Sequence, residues 1–178
     1  MGGMLELMMH CHYLFAAEET VFSMPEVTLP VVPGMEGCHW AIRKAKPEDR
    51  KHLVKMLLEG KPMKATETEG WLVDFAGPLE TGLKKAWQVM EKGTSVLPLR
   101  KIEERSLGKI DFNSAKVAPV TDISLEEARK AIAKCVEDSC VASLADSIAI
   151  QAKHSAEFMD TKLCRKGKVG SEYDKVNQ

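Results

Sequence analysis

Glycine and proline residues divide the first 93 residues of the chain into short apolar segments. Among them are those at 2–3, 25, 30, 33–34, 37, 60, 77–78 and 93. Since these two residue types end or redirect helices and strands, each segment between them is limited to a short helix or strand. Segments with a helical period alternate with short apolar runs typical of buried strands, and this alternation indicates an α/β fold.

The short segments predict two kinds of element, helices and strands, within residues 1–93. Helices are expected where good helix formers follow a glycine turn or alternate with charges, and strands where brief apolar runs are bounded by turn residues. Predicted helices cover 3–10, 38–45, 47–60, 64–71 and 78–93, the second of them starting at the glycine-rich turn before it; predicted strands cover 12–16, 20–24 and 71–76.

The rest of the chain divides into an irregular connector and a helical region. Residues 94–121 show no sustained period, so they are interpreted as the connector between a core at 1–93 and a helical region at 122–178. Ser124, with Glu127 three residues later, predicts a capping box for a first long helix. A second amphipathic helix is predicted over 141–159, and the polar, basic end of the chain is expected to be solvated or to lie over a neighbour.

Charge and cysteine content narrow the possible environments and partners. The formal net charge is −1, and no run of lysine and arginine is long enough to attract nucleic acid, so we expect no nucleic-acid partner. No uninterrupted apolar window approaches a membrane span, and the N-terminus lacks the basic region of a signal peptide. Five cysteines, an odd number, favour a reduced compartment, and we expect a cytoplasmic protein without a membrane partner.

Histidine and cysteine residues cluster at two places without the spacing of a metal site. His10, Cys11 and His12 are consecutive, as are Cys38 and His39. Neighbouring side chains point in different directions along a helix or strand, and no C-x-x-C or H-x-x-x-H pattern converges on a tetrahedral ion. No phosphate loop or dinucleotide fingerprint is present either. The sequence therefore predicts no metal and no cofactor.

Two glutamates are better candidates for chemistry. Glu6 lies one helical turn after Gly2 and Gly3, and Glu26 lies in a Pro-Glu step expected between two short apolar strands. Free N–H groups at a glycine-rich helix start are donors for a developing negative charge. Two carboxylates beside such donors suit acid–base work on a carbonyl whose oxygen becomes an enolate. The alternative is a solvated Glu6 and a Glu26 that acts as a cap or an ion-pair partner.

Residues 2–37 carry a resemblance that bears on this choice. The order G-G-x-x-E, then F-x-x-P-E-V-x-L, then P-G-x-x-G resembles the signature of the crotonase (enoyl-CoA hydratase/isomerase) superfamily, and the two glutamates are twenty residues apart, as in its hydratases. The resemblance covers most of 1–92 and 123–175. It implies a crotonase-like ββα spiral, truncated at its N-terminus, with a C-terminal helical region that forms trimers.

The resemblance also implies site residues. Gly3 would donate its N–H to the thioester oxygen of an acyl-CoA, Glu6 would activate the water that adds to C3, and Glu26 would handle the proton at C2. Gly34 would start a helix whose positive end faces the thioester. The residues implied in substrate binding are Gly34, Pro25 and Gly37.

The implied activity is hydration of a trans-2-enoyl-CoA to a 3-hydroxyacyl-CoA, with the acyl-CoA as substrate and no separate cofactor. Alternatives are an isomerase or a ring-derived acyl-CoA hydrolase of the same superfamily, or a non-catalytic assembly subunit. Implied partners are further copies of the chain, as a trimer or dimer of trimers, an N-terminal crotonase half, or a fused 3-hydroxyacyl-CoA dehydrogenase. In the family, strands before the G-G motif supply the second oxyanion donor, so this chain is expected to be a fragment or a partner-dependent half.

Several positions depart from the family pattern. Met4 and Glu36 stand where glycine is usual, and Cys38, His39 and Trp40 replace a T-Q-R run. These changes imply a reshaped acyl pocket. For His39 and Glu36, an extra polar role in the site and a purely structural role both remain open.

Overall fold

The computed structural model describes residues 1–164. Within them the chain is helix-rich, with few and short strands, and the predicted α/β class is confirmed. The prediction for the polar end of the chain falls largely outside the described residues. No helix in 1–164 has the length and apolar character needed to cross a membrane.

Seven helices are present in the described part of the chain. Four are short and three are long, with 14, 19 and 16 residues. In chain order they are α1 (Gly3–Met9), α2 (Trp40–Lys44), α3 (Arg50–Glu59), α4 (Ala65–Thr68), α5 (Leu79–Lys92), α6 (Ile123–Val141) and α7 (Leu144–Met159).

Four strands form two small sheets within the same range. β1 (Phe15–Ala17) pairs in parallel with β4 (Phe75–Gly77), and Phe15 stands opposite Phe75. β2 (Val21–Phe22) pairs antiparallel with β3 (Met63–Lys64). A two-stranded parallel sheet is unusual, because parallel sheets are normally larger and covered on both faces.

Four local predictions were wrong in detail. Glu26 lies in a 3₁₀ turn, Pro25–Thr28, rather than between strands, because Pro25 favours the first position of a helical turn. The strand expected at 71–76 begins only at Phe75, because the preceding backbone turns to bond with Thr68. The helix expected over 47–60 starts as a 3₁₀ turn, Pro47–Asp49, before α3.

The fourth correction concerns the start of α6. Asp122, not Ser124, is its N-cap, and the Asp122 side chain accepts a hydrogen bond from the N–H of Leu125. The helix therefore starts two residues earlier than the capping-box pattern predicts. Aspartate and serine are nearly equal as N-caps, so the pattern did not separate them.

A single apolar core joins the N-terminal elements to the α6–α7 hairpin. Its fully buried members include Leu5 of α1, Val54 of α3, and Ile132 and Val136 of α6. Gly60 ends α3 in the left-handed conformation, with φ 66°, which closes the helix against the Pro25–Thr28 turn.

Arg43 ties the irregular segment 94–121 to this core. Its guanidinium is buried and donates four hydrogen bonds to backbone carbonyls, two in the segment and two at the end of α6. The four acceptors are the carbonyls of Glu103, Arg105, Ser139 and Ala142. The planar fork of arginine suits this arrangement, in which one side chain replaces missing backbone partners.

Candidate active site

Glu6 is buried on α1, and its carboxylate is held by a loop distant in sequence. Its exposed fraction is 2%. Oε1 accepts hydrogen bonds from the backbone N–H groups of Met35 and Gly37, each at 2.9 Å. Two N–H donors stabilise an ionised carboxylate in a buried place. Among the described residues, Oε2 receives no hydrogen bond and is left for other contacts.

Gly37 is required where it approaches Glu6. A Cβ atom at this position would lie 2.6 Å from Oε1 of Glu6 and 2.6 Å from the terminal methyl carbon of Met24. Only a residue without a side chain therefore allows the backbone N–H to reach the carboxylate.

Glu26 is the second buried carboxylate of the site. It lies in the Pro25–Thr28 turn, and its Oε2 is buried without a hydrogen-bond partner among the described residues. The pKa of Glu26 is raised from 4.5 to about 7, mainly because of burial; its backbone hydrogen bond and the N-terminal ammonium act to lower it, and the nearby charge of Glu6 acts to raise it. At neutral pH this carboxyl is therefore partly protonated and able to act as an acid.

The two carboxylates flank the Gly2–Gly3 pair. A Cβ atom on Gly2 would lie 3.2 Å from Oε1 of Glu26, and one on Gly3 would lie 3.9 Å from Oε2 of Glu6. Gly2 has φ 57°, a conformation that favours glycine, and its N–H donates to the carbonyl of Ser23 at 3.0 Å. This bond joins the start of α1 to the segment that carries Glu26.

The remaining predicted site residues fall into two groups. Gly3 is the first residue of α1, and Pro25 lies beside Gly2. The N–H of Gly3 has no acceptor within its own helix, as is general for the first residues of helices. Gly34 forms the second group. The prediction that Gly34 starts a helix was wrong, because α2 begins at Trp40, and a Cβ atom on Gly34 would meet nothing within 4 Å. Six residues, 34–39, form bends and turns before α2 begins.

Three polar residues on α7, which the sequence analysis did not identify, hold the loop that binds Glu6. Gln151 is 1% exposed; its Oε1 accepts from the N–H of Cys38 at 3.0 Å, and its Nε2 donates to the carbonyl of Pro33 at 3.0 Å. Ser155 also donates to the Pro33 carbonyl, at 2.7 Å. With Ser147 these buried residues repeat every four positions along one face of α7, and this spacing of small and amide side chains is the signal that could have identified them.

His39 lies inside this packing. It is fully buried, with Nδ1 3.2 Å from Oγ of Ser147. The pKa of His39 is lowered from 6.5 to about 4, mainly because of burial and in smaller part because of the neighbouring Arg43 and His10. His39 is therefore neutral at physiological pH and serves packing between the loop and α7.

Comparison with known proteins was made by sequence and by fold. No protein-family model matches the chain. A probable enoyl-CoA hydratase of Rhizobium meliloti is 40% identical over 72 residues, which cover 39% of this chain and 26% of that protein. A probable mitochondrial enoyl-CoA hydratase of Dictyostelium discoideum is 33% identical over 93 residues, covering 52% and 32%. A peroxisomal fatty acid beta-oxidation multifunctional protein of Oryza sativa is 25% identical over 168 residues, covering 92% and 22%.

Solved structures share the fold over most of the chain. A carnitinyl-CoA dehydratase from Mycobacterium avium has a TM-score of 0.57 at 19% identity, covering 94% of this chain and 55% of that one. Another, from Mycobacterium thermoresistibile, has a TM-score of 0.54 at 14% identity, covering 99% and 58%. The chain spans about a quarter to a third of the length of the first two curated relatives. The named relatives confirm the resemblance to the crotonase superfamily: over the matched residues the chain is similar to proteins named enoyl-CoA hydratases, and its fold is shared with the solved structures.

Proposed function

We propose that Glu6 and Glu26 are the acid–base pair of an enoyl-CoA hydratase-type site, which adds water across the C2–C3 double bond of a trans-2-enoyl-CoA. The observation that carries this proposal is the placement of two buried carboxylates on either side of Gly2–Gly3 in contrasting environments. One accepts two N–H donors, and the other is short of donors and has a pKa of about 7.

The contrast assigns the two roles. Glu6, held as a carboxylate, accepts a proton from water as the water oxygen bonds to C3. The electrons of the double bond move to the thioester oxygen, and the Gly3 N–H stabilises the resulting enolate. Glu26 donates its proton to C2. Glu6 has then gained one proton and Glu26 has lost one, and a proton transfer between them or through solvent restores the site.

We further propose that turnover needs a part of the crotonase fold that residues 1–164 do not supply, carried on the same polypeptide or on a second one. The two-stranded parallel sheet and the exposed apolar side chains of α5 support this proposal, since both are normally covered. That part would bring the second oxyanion donor, whose loss costs about 3 kcal/mol of transition-state stabilisation.

We also propose assembly into a trimer or a dimer of trimers, on the basis of exposed apolar side chains. Apolar side chains remain exposed on α6 and α7, among them Ile123 at 71% and Ile148 at 43%. These positions suit contacts with further copies of the chain. Sedimentation of the purified chain would test this, and a monomer over the micromolar range would contradict it.

A crotonyl-CoA assay tests the chemistry. The chain is combined with a polypeptide carrying the N-terminal part of a crotonase fold, and loss of the enoyl absorbance is followed. We expect Glu6→Gln and Glu26→Gln each to lower kcat by about 10²-fold or more, the usual size of an acid–base contribution. Glu126→Gln, which removes an exposed carboxylate on α6, is the matched control and keeps the rate.

The identity of the product separates the alternatives. A 3-hydroxyacyl-CoA supports hydration, a shifted double bond indicates an isomerase, and a free acid indicates a hydrolase. Normal hydration in both glutamine variants would refute the assigned roles. No turnover by the wild-type mixture, with a correctly assembled complex, would favour the non-catalytic alternative.

A further inference from the structure

Glu36 has a backbone conformation that side chains rarely adopt. Its φ is 68°, in the left-handed region, and it lies in the loop between Met35 and Gly37. A non-glycine residue is held in this region only where its surroundings compensate for the steric cost. Its two neighbours are the residues whose N–H groups bind Oε1 of Glu6. The unusual conformation therefore stands at the centre of the contact that holds this carboxylate.

His10 supplies the compensating contact. Its Nε2 lies 3.5 Å from Oε2 of Glu36, and both side chains are partly shielded, at 32% and 24% exposure. The His10 ring also stacks on Trp40, with ring centroids 4.0 Å apart, which fixes its orientation. Both partners of the pair are thus restrained before they meet.

His10 and Glu6 lie on the same face of α1. They are four residues apart at α1 and its C-cap, and residues at this spacing lie one above the other. Glu6 binds the N–H groups on either side of Glu36, while His10 binds the Glu36 side chain. Three consecutive loop residues are thus held by two side chains one helical turn apart.

We propose that His10 and Glu36 are a positioning pair, which keeps the 35–37 loop in the one conformation that directs two N–H groups at Oε1 of Glu6 and leaves Oε2 facing Gly3. Its value for catalysis rests on the function proposed above, whereas its effect on the loop does not. Neither residue contacts the reacting atoms. Their contribution is to the orientation of the Glu6 carboxylate.

Amide hydrogen exchange of the full chain tests the pair without substrate. In His10→Gln and Glu36→Gln, we expect the Met35 and Gly37 amides to exchange about threefold faster or more, the range for losing one polar contact. Exchange at Leu57 in α3 should not change, because it reports the core. Glu126→Gln, which alters an exposed ion pair on α6, is the control. The double variant should exchange no faster than either single one, since both remove the same contact.

A second pair of variants examines the backbone conformation. Glu36→Ala loses the contact with His10 but keeps the steric cost of the positive φ. Glu36→Gly loses the same contact and also removes that steric cost. We therefore expect the glycine variant to protect the Gly37 amide better than the alanine variant. Unchanged exchange at Met35 and Gly37 in both single glutamine variants, or additive effects in the double variant, would overturn the proposal.

Kinetics in the assembled enzyme separates this inference from the proposed function. We expect Glu36→Gln to lower kcat by a factor similar to its effect on exchange, with KM unchanged. Faster exchange in the two variants, together with a wild-type complex that has no hydratase activity, would leave the positioning of the loop intact and refute the proposed function. Faster exchange with unchanged kcat would refute the catalytic role of the pair.

Discussion

The backbone N–H of Gly37 donates a hydrogen bond to Oε1 of Glu6 at 2.9 Å, joining α1 to a loop 31 residues later in the chain. The bond is possible because Gly37 has no side chain. A Cβ atom there would lie 2.6 Å from the carboxylate oxygen, closer than such atoms approach in proteins. Glycine at this position therefore sets the orientation of a buried carboxylate.

Replacing Gly37 tests this relationship directly. We expect Gly37→Ala to lower the free energy of unfolding by about 1–3 kcal/mol, the range for overpacking a tight site. Urea denaturation at neutral pH gives the measurement. Gly34→Ala is the control three residues away, because its Cβ atom meets nothing within 4 Å and we expect a change within about 0.5 kcal/mol. Equal effects of the two variants would contradict the steric argument.

The extent to which the sequence predicted the fold differs between helices and site. Amphipathic segments such as 79–92 have a period that requires no knowledge of their neighbours, so the corresponding helices were predicted closely. The burial of Glu6 depends on N–H groups of the loop near Gly37. That loop depends in turn on Gln151, which lies 113 residues after Cys38. No local pattern encodes such contacts between distant segments.

Local sequence patterns also failed to predict the backbone conformation around Glu26. Short apolar runs predicted strands on both sides of it, yet the chain forms a 3₁₀ turn after β2. Apolar runs of four or five residues suit either structure, and tertiary packing decides between them. The motif order carried the resemblance because it records residue identities, whereas periodicity alone did not distinguish a catalytic glutamate from a solvated one.

The pH dependence of stability should reveal two opposing groups. The pKa of Glu26 is raised from 4.5 to about 7, so its stabilising protonated state is fully present below pH 4.5 and its contribution is lost as pH rises to about 7. The pKa of His39 is lowered from 6.5 to about 4, so its contribution is present above pH 6.5 and is lost as pH falls to about 4. Each contribution is about 3 kcal/mol, and the two slopes cancel between pH 4.5 and 6.5.

Single substitutions should expose each slope. Relative to the wild type, Glu26→Gln should gain stability as pH rises from 4.5 to 7, because it no longer ionises in a buried place. His39→Gln should lose stability relative to the wild type as pH rises from 4.5 to 6.5, the lower part of this interval. Urea midpoints across the interval give both differences. Parallel curves for the wild type and both variants would contradict the burial of these groups in solution.

Arg43 should be among the residues most important for stability. Replacing it with methionine leaves the carbonyls of Glu103, Arg105, Ser139 and Ala142 without their donor. We expect Arg43→Met to cost about 3–5 kcal/mol, as for other broken buried networks. Arg43→Lys should recover only part of this, because one ammonium cannot reproduce the fork. Lys134→Ala, which removes an exposed pair with Asp138, is the control and should leave the urea midpoint nearly unchanged, because solvent screens this pair.

A substitution on the exposed face of α5 should affect assembly without changing the stability of the chain. Leu79, Leu83, Trp87 and Met90 are each at least 60% exposed and recur every three or four residues, so they form one stripe along the helix. A groove of about 120 Å³ between this stripe and β1 is lined by Phe15 and Leu83, among others. Leu83→Glu should change the free energy of unfolding of the chain by about 0.5 kcal/mol or less, since this side chain is mostly in water.

If the stripe receives the rest of the crotonase fold, the same variant should abolish complementation in the crotonyl-CoA assay. Because a buried unpaired carboxylate is costly, even partial docking should be weakened strongly. Full complementation by Leu83→Glu would show that the added polypeptide, which carries the N-terminal part of a crotonase fold, binds elsewhere.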